Sequence, residues 1–312
     1  MSILKKIFSV DMNYSEERFL LTVFGLKLKI QKAEYARRRK TNPYYYYKKN
    51  NIDITTIPPA TGQIREIQLA ALSLLKEFDY VCKQNNIQYW LEFGTLIGAV
   101  RHHGFIPWDD DIDLSVTRKD YERLVDTFNN TSRNPDIYAE YTKPIIRIKY
   151  KKSEHIYMDI FPYDKYGKIM DTKEEISESK KLKNLRYKVR KRTDKLDLNG
   201  FLKEIEKTRK EIILVNEIPS DTNQLELVRG FEVSYAEKNW FSHYTTIFPL
   251  KTIEFEGCQF GCVNNPDKHL RSMFGNYMDY PSKIGCGHNM YKDLSQEEQN
   301  ALRELIEYGS KI

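Results

Sequence analysis

The sequence predicts an α+β fold, a small mixed sheet flanked by helices. Three observations carry that expectation. Apolar residues at Ile64, Ile67, Ala71, Leu74, Leu75, Phe78, Val81 and Cys82 recur at the helical period. Short runs rich in Ile and aromatic residues at 89–93, 112–116, 145–150 and 156–161 have the composition of strands. The two kinds of segment then alternate in the order helix, strand, helix, strand, helix, strand, strand, which indicates helices packed on a mixed sheet.

Each element follows from local chemistry. The first helix faces a core along one stripe and meets a stop at Asn85-Asn86. The strand at 89–93 runs into Gly94-Thr95 and a second helix over 96–101, broken at Gly104. After the strand at 112–116, Tyr121, Leu124, Val125 and Phe128 form one face of a third helix. Residues 173–215 read as a basic helical insertion, with Lys180-Lys181, Arg186, Lys188, Arg190-Lys191-Arg192 and Lys195. Such a run is either a solvated face or a wall that attracts an anionic acceptor or membrane. A small C-terminal α/β region over 247–312 follows: short strands with Gly turns at Gly257 and Gly261, a helix over 268–274, and a last helix opened by a Ser295/Glu298 capping box.

Composition bounds the function classes. The chain has 312 residues, 40% of them apolar, with 15 Phe, 22 Tyr and 3 Trp, enough buriable surface to exclude global disorder. Fifty Lys and Arg against 44 Asp and Glu give a net charge of +6, which suits anionic partners without selecting one. No nucleic-acid module signature occurs, so nucleic acid is not an expected partner. No apolar run approaches the ~20 residues that span a bilayer, and residues 1–10 lack a signal peptide's apolar stretch and cleavage site. The chain is therefore expected in the cytoplasm. Its four cysteines, Cys82, Cys258, Cys262 and Cys286, are too few for a disulfide scaffold.

The densest chemical signal is Trp108-Asp109-Asp110-Asp111-Ile112-Asp113-Leu114. Strand alternation would project Asp111 and Asp113 to one side and send Ile112 and Leu114 into the core. Like charges held that close repel unless a cation compensates, and an oxygen-rich cluster suits Mg²⁺ or Mn²⁺ bridging to substrate phosphates. A merely wet acidic loop is the plain alternative. Asp159 lies inside the apolar run Ile156-Tyr157-Met158-Asp159-Ile160-Phe161, where a carboxylate needs a metal, a reacting proton or an Arg partner. Gly94-Thr95, at a strand-to-helix junction, offers free backbone N–H groups and the positive end of a helix dipole to a phosphate, or is a simple turn.

A Gly-Thr turn, an Asp-x-Asp strand and a single Asp on a later strand together have the layout of nucleotidyltransferase-fold enzymes. The stretch 90–113, with Glu92-Phe93-Gly94-Thr95, Arg101-His102-His103-Gly104 and the acidic run, closely resembles the signature of the LicD family. Bacterial phosphocholine transferases belong to that family, and fukutin and fukutin-related protein share its domain. Strong resemblance covers about 64–164. It continues more weakly at Phe255-Glu256-Gly257 and Phe274-Gly275-Asn276-Tyr277-Met278-Asp279-Tyr280-Pro281, within a transferase domain expected over 61–312.

The resemblance implies a two-metal site on Asp111, Asp113 and Asp159, donor phosphate at Gly94-Thr95, and Asp159 orienting or deprotonating an acceptor hydroxyl. It implies a CDP-alcohol donor such as CDP-choline, with phosphocholine passed to a sugar hydroxyl of a cell-surface glycan or glycolipid (lipopolysaccharide, capsule or teichoic acid type) and CMP leaving. It places a late histidine, His288, near the active site. Arg101 is either a donor-phosphate ligand or a salt-bridge partner of Asp109 or Asp110. Two other readings stand beside this one: nucleotidyl transfer to a sugar phosphate, and a silent glycan- or nucleotide-binding module whose acidic cluster is a scaffold.

Two segments lie outside the motif. Residues 1–60 alternate apolar runs with basic clusters (Lys27, Lys29, Lys32, then Arg37-Arg38-Arg39-Lys40), with a hairpin expected over 19–30 turning at Gly25 and an end at Pro58-Pro59. This opening resembles a leader found on bacterial enzymes of capsule and lipopolysaccharide assembly; it reads as a solvated tail or as an anchor to the anionic inner face of the membrane. Cys258-x-x-x-Cys262 with Cys286-x-His288 has zinc-ligand residue types at a spacing outside the common structural pattern, and buried thiols are the expected state.

Overall fold

A computed structural model describes residues 44–167, 170–211, 220–230, 232–233, 241–282, 284 and 294–312 in full, and the backbone of 168, of 212–213 and of three earlier strands. The chain divides into two compact units, Met1–Ile57 and Pro58–Ile312. In the first, β1 (Phe8–Asn13), β2 (Arg18–Val23) and β3 (Leu26–Gln31) form an antiparallel meander, followed by the short helix α1 (Tyr44–Lys49). Val23 pairs with Leu26, so the expected hairpin forms; its turn at Gly25, and the basic cluster at Lys32 and 37–40, lie outside the described residues.

The second unit is built on a seven-stranded sheet. Its strands are β4 (Tyr89–Leu91), β5 (Ile112–Thr117), β6 (Ile137–Tyr141), β7 (Ile146–Tyr150), β8 (Ser153–Lys168), β9 (Leu225–Arg229) and β10 (Phe241–His243). β8 is the axis: its first half lies between β5 and β7, and its second half pairs with β9. Among the described strands only β5 and β8 run parallel, with Asp113 opposite Asp159. The sheet is thus mixed, as the sequence predicts.

Helices flank it. α2 (Gln63–Gln84) packs on β7 and β8, matching the predicted helix and its stop, and Ile67, Leu74, Leu75, Phe78 and Val81 are fully buried. α3 (Phe93–His102) starts three residues earlier than the sequence predicts, and its left-handed end is His103 rather than Gly104. α4 (Arg118–Thr131) is capped by the Thr117 hydroxyl. The basic segment forms two helices, α5 (Thr172–Thr193) and α6 (Leu198–Ile213), whose Leu182, Val189, Phe201 and Ile205 pack with Tyr166, Val228 and Phe241.

Beyond the short helix α7 (Tyr244–Ile247), β11 (Lys251–Phe255) and β12 (Cys258–Cys262) form a hairpin around Glu256-Gly257, both with positive φ. Gly261, predicted as a turn, lies inside β12. A Cβ there would stand 2.1 Å from the Tyr89 carbonyl oxygen, so glycine permits the hairpin to pack on β4. α8 (Pro266–Phe274) and α9 (Gln296–Ser310) complete the unit. The Ser295/Glu298 capping box is present, and Gly309 lets α9 approach Ser73 of α2 closely.

Candidate active site

The site is assembled where β4, α3, β5 and β8 meet. Phe93, at the β4–α3 junction, adopts φ +44°, an unfavourable conformation for a bulky residue. It is held there by the ring of Phe161, 5.1 Å away, and by the Arg229 guanidinium 4.1 Å from its centroid. The sharp bend brings the first turn of α3 against β5. Thr95 is buried and its hydroxyl accepts the Asp113 N–H at 2.9 Å, while the Glu92 N–H donates to the Asp113 carbonyl at 2.9 Å. Asp113 is therefore pinned through its backbone on both sides.

Gly94 has a specific steric reason. A Cβ at this position would stand 2.6 Å from Asp109 Oδ2, so only glycine lets that carboxylate reach the start of α3. Asp109 is positioned by Gln68 of α2, whose buried amide donates to the Asp109 carbonyl at 2.8 Å. The Phe255-Glu256-Gly257 element fixes the same loop from the other side. The Glu256 carboxylate binds Arg65 at 2.6 Å and accepts the Phe105 N–H at 3.1 Å.

Asp113 and Asp159 are direct neighbours across the parallel pair and so project to the same face. Asp111 precedes β5, so strand alternation does not govern it, yet its charge acts on Asp113. Burial, then the charges of Asp111, Asp159, Asp109 and Glu92, push the Asp113 carboxyl well above the usual carboxylate range. Asp109 is raised likewise by burial and by Asp111, with which it shares a hydrogen bond. Asp159 carries the Arg partner that its apolar strand demands: Arg147 of β7, its register partner, donates from Nε to Oδ1 at 2.8 Å and lies 4.2 Å over the Tyr157 ring.

Among the described residues, no group of three or more His, Cys, Asp or Glu side chains is arranged so that it could hold a metal ion. By residue type alone, the carboxylates of Asp109, Asp111, Asp113 and Asp159 are of the kind that suits a hard divalent cation. Their donors are oxygens alone, and the raised carboxyl groups of Asp109 and Asp113 register negative charge that Arg147 does not neutralise.

Behind this face lies a network the sequence reading missed. Glu92 is fully buried and accepts from Trp90 Nε1 and Ser115 Oγ, each at 2.9 Å, and from His269 Nε2 at 2.8 Å. Burial alone would raise its carboxyl; His269, Arg229 and Ser115 bring it down to about 2. The signal available was an acidic residue between the apolar Leu91 and Phe93, at a position where the chain leaves a strand.

Arg101 is buried and donates to the Tyr277 carbonyl at 2.7 Å and to His102 at 2.9 Å, with its guanidinium 5.8 Å from the Trp108 ring centroid. Burial depresses it to about 10 against the opposing pull of Asp109. It ties the C-terminal Tyr277 element to the acidic loop. His288 and Cys286 lie outside the described residues. Cys258 and Cys262 are free thiols at opposite ends of β12, about 13 Å apart at a strand's rise, so they cannot share a zinc ion.

Residues 86–201 match the domain described as LicD/FKTN/FKRP, nucleotidyltransferase domain. The chain is 32% identical over 260 residues to the lipopolysaccharide cholinephosphotransferase LicD of Haemophilus influenzae, covering 70% of this chain and 92% of that protein. The chain belongs to the LicD family. Within the family it is also 30% identical over 89 residues to the human ribitol 5-phosphate transferase FKRP, which is 27% of this chain and 18% of that protein. A shorter match, 34% over 67 residues, covers 22% of this chain and 6% of mannosyltransferase regulator 4 of Saccharomyces cerevisiae. No described helix is long and apolar enough to cross a membrane.

Proposed function

We propose that the chain is a LicD-type transferase that moves a phospho-alcohol, phosphocholine in the leading case, from a CDP-alcohol to a sugar hydroxyl of a cell-surface glycan. The observation that carries this reading is Asp113 beside Asp159 on one sheet face, against the start of α3. Its length-wide similarity to the Haemophilus influenzae cholinephosphotransferase supports the donor group and acceptor class.

In this mechanism Asp111 and Asp113, completed by Asp159, would hold Mg²⁺ or Mn²⁺, which would supply charge neutralisation to the donor phosphates, the main requirement of phosphoryl transfer. The backbone N–H groups of Gly94 and Thr95, unused within α3, bind a phosphate oxygen. The acceptor oxygen attacks the phosphorus that carries the alcohol, the bond to CMP breaks, and Asp159 takes the hydroxyl proton. Arg147 holds the Asp159 side chain in the position from which it does so. The strand-rich first unit is assigned to association with the anionic inner face of the membrane, on the basic residues of its sequence.

The test is to incubate the protein with Mg²⁺, a glycan acceptor and a panel of CDP-alcohols, following CMP. Acceptor-dependent CMP release with CDP-choline is expected. Pyrophosphate release from a nucleoside triphosphate and a sugar phosphate, with no CMP from any CDP-alcohol, would replace this reading with nucleotidyl transfer.

A further inference from the structure

The basic helical segment does more than present a solvated face. A cavity of about 310 Å³ opens between α5, α6 and the β6–β7 turn, lined among others by Lys143, Arg186, Val189, Arg190, Phe201 and Glu232. A second cavity of about 340 Å³ shares Pro144, Phe201, Ile205 and Glu232 with it and continues past Arg118 and Tyr121. Together they make a groove with one cationic end and one mixed, partly aromatic end.

The cationic end is built. Arg186 is buried and donates to the Val233 carbonyl. Burial first, and then the charges of Arg190 and Arg229, depress it to about 10, so cationic neighbours add to the effect of burial. Arg190 is exposed and makes no ion pair with any described residue; Lys143 donates to the Leu196 carbonyl, with Nζ 5.8 Å from the Phe201 ring centroid. Two carboxylates line the same cavity. Asp194 is an exposed residue, and Glu232 is engaged through Oε1 by Arg118 at 2.7 Å. Glu232 Oε2 is buried without a hydrogen-bond partner among the described residues, an acceptor with unused capacity. Apolar floor, a hydroxyl acceptor and convergent guanidinium and ammonium groups are together the chemistry of a phosphorylated sugar.

The groove also flanks the carboxylate face. Val233, whose carbonyl Arg186 holds, packs with Ile145, Phe161 and Phe93. Phe161 follows Asp159 by two residues on the same strand face, and Phe93 immediately precedes Gly94. We propose that this groove binds the acceptor as a phosphorylated saccharide, with phosphate at Lys143, Arg186 and Arg190 and sugar hydroxyls at Glu232. The proposal rests on the transferase reading for the word acceptor; the binding site itself does not.

The test uses the full-length protein and needs no turnover, so its failure is read separately from absence of CMP release. Glucose 6-phosphate, inorganic phosphate and glucose are titrated by calorimetry at constant ionic strength. Glucose 6-phosphate is expected to bind, inorganic phosphate more weakly, and glucose undetectably. In the K143Q/R190Q double variant, which alters two exposed side chains, glucose 6-phosphate affinity should fall by about tenfold or more, the scale of losing charge-assisted contacts. K188Q removes a charge from an exposed position on α5 that does not line the cavity and should leave affinity unchanged. Absence of binding would overturn the proposal, as would equal weakening by K188Q. So would inorganic phosphate binding as tightly as the phosphosugar, which would mark an anion site without a sugar subsite. A circular dichroism spectrum matching wild type keeps the double variant interpretable, and restoration of affinity in K143R/R190K would confirm that charge is what the groove reads.

Discussion

Glu92 and Asp113 are joined by a backbone hydrogen bond and lie on adjacent strands' ends, yet their carboxyl groups are driven in opposite directions. Glu92 is fully buried and Asp113 half-buried. Glu92 has a donor for each oxygen, with the His269 ring and the Arg229 guanidinium nearby, and it is brought down to about 2. Asp113 faces Asp111, Asp159 and Asp109, and is pushed well up. The difference is compensation, since burial opposes charge in both. A buried carboxylate whose partners are all supplied by the protein is structural; one surrounded by more carboxylates is a candidate for chemistry, and the proposed function places it there.

The largest expected effect tests the compensated member. Replacing Glu92 with Gln keeps the shape and removes the charge beside His269, which should cost about 3 kcal/mol of stability in urea titrations, the scale of breaking a buried pair. The pH dependence has a fixed sign. Because the folded carboxyl is held near 2, below its unfolded value, its contribution is complete above the ordinary carboxylate range and fades as pH falls toward 2. The stability gap between wild type and E92Q should therefore be flat near neutrality and close on acidification. Equal stability at pH 7 would show that Glu92 is not the compensated group described here.

Asp113→Asn tests the uncompensated member and should do the reverse. Removing one of several repelling charges leaves the fold intact and raises the stability of the metal-free protein, because a group with a raised carboxyl destabilises the fold once ionised. CMP release should fall by about 100-fold or more, as for loss of one preorganised electrostatic contact, and the Mg²⁺-induced rise in melting temperature should shrink. Near wild-type turnover with an unchanged metal response would reduce the acidic cluster to a scaffold.

This contrast explains what was legible in the sequence. The core helix α2, the strands that carry Asp113 and Asp159, and the hydrophobic burial of Ile112 and Leu114 follow from period and composition, because their neighbours are close in sequence or uniformly apolar. β9 was not legible: all five of its residues are buried, including Glu226 and Arg229, so its pattern reads as polar where the fold makes it interior. Gly261 was misread for a related reason. Its need for glycine comes from Tyr89, a contact between strands far apart in the chain, and not from a turn. Among the catalytic candidates, the face shared by Asp113 and Asp159 depends on a parallel register that residue types do not encode. Glu92 escaped notice because its partner His269 is distant in sequence.

A smaller effect is expected at Gly94, where side-chain volume alone is changed. Gly94→Ala places a methyl group within 2.6 Å of Asp109 Oδ2, so the carboxylate must move away from the start of α3. Ala also favours the helix by about 1 kcal/mol over Gly. Stability should hold or rise slightly while activity drops by about tenfold, the signature of misplacing a charged group without unfolding its support. Loss of stability without a selective loss of activity would show that Gly94 serves packing and not Asp109.

The smallest effect concerns Arg147, which forms an ion pair with Asp159. Its side chain is 31% exposed, so Arg147→Gln should cost less than about 1 kcal/mol in denaturant unfolding. The informative readout is metal binding. If Arg147 and the cation compete for the same Asp159 carboxylate, removing the guanidinium leaves more negative charge for the cation, and the Mg²⁺ concentration at half-maximal thermal shift should fall by about threefold. Turnover should fall as well, because Asp159 then loses the contact that orients it toward the acceptor hydroxyl. Tighter metal binding together with slower CMP release would place Asp159 between the compensated and uncompensated states that Glu92 and Asp113 represent. Weaker metal binding would instead mean that Arg147 helps to assemble the site, and the competition between guanidinium and cation would be wrong.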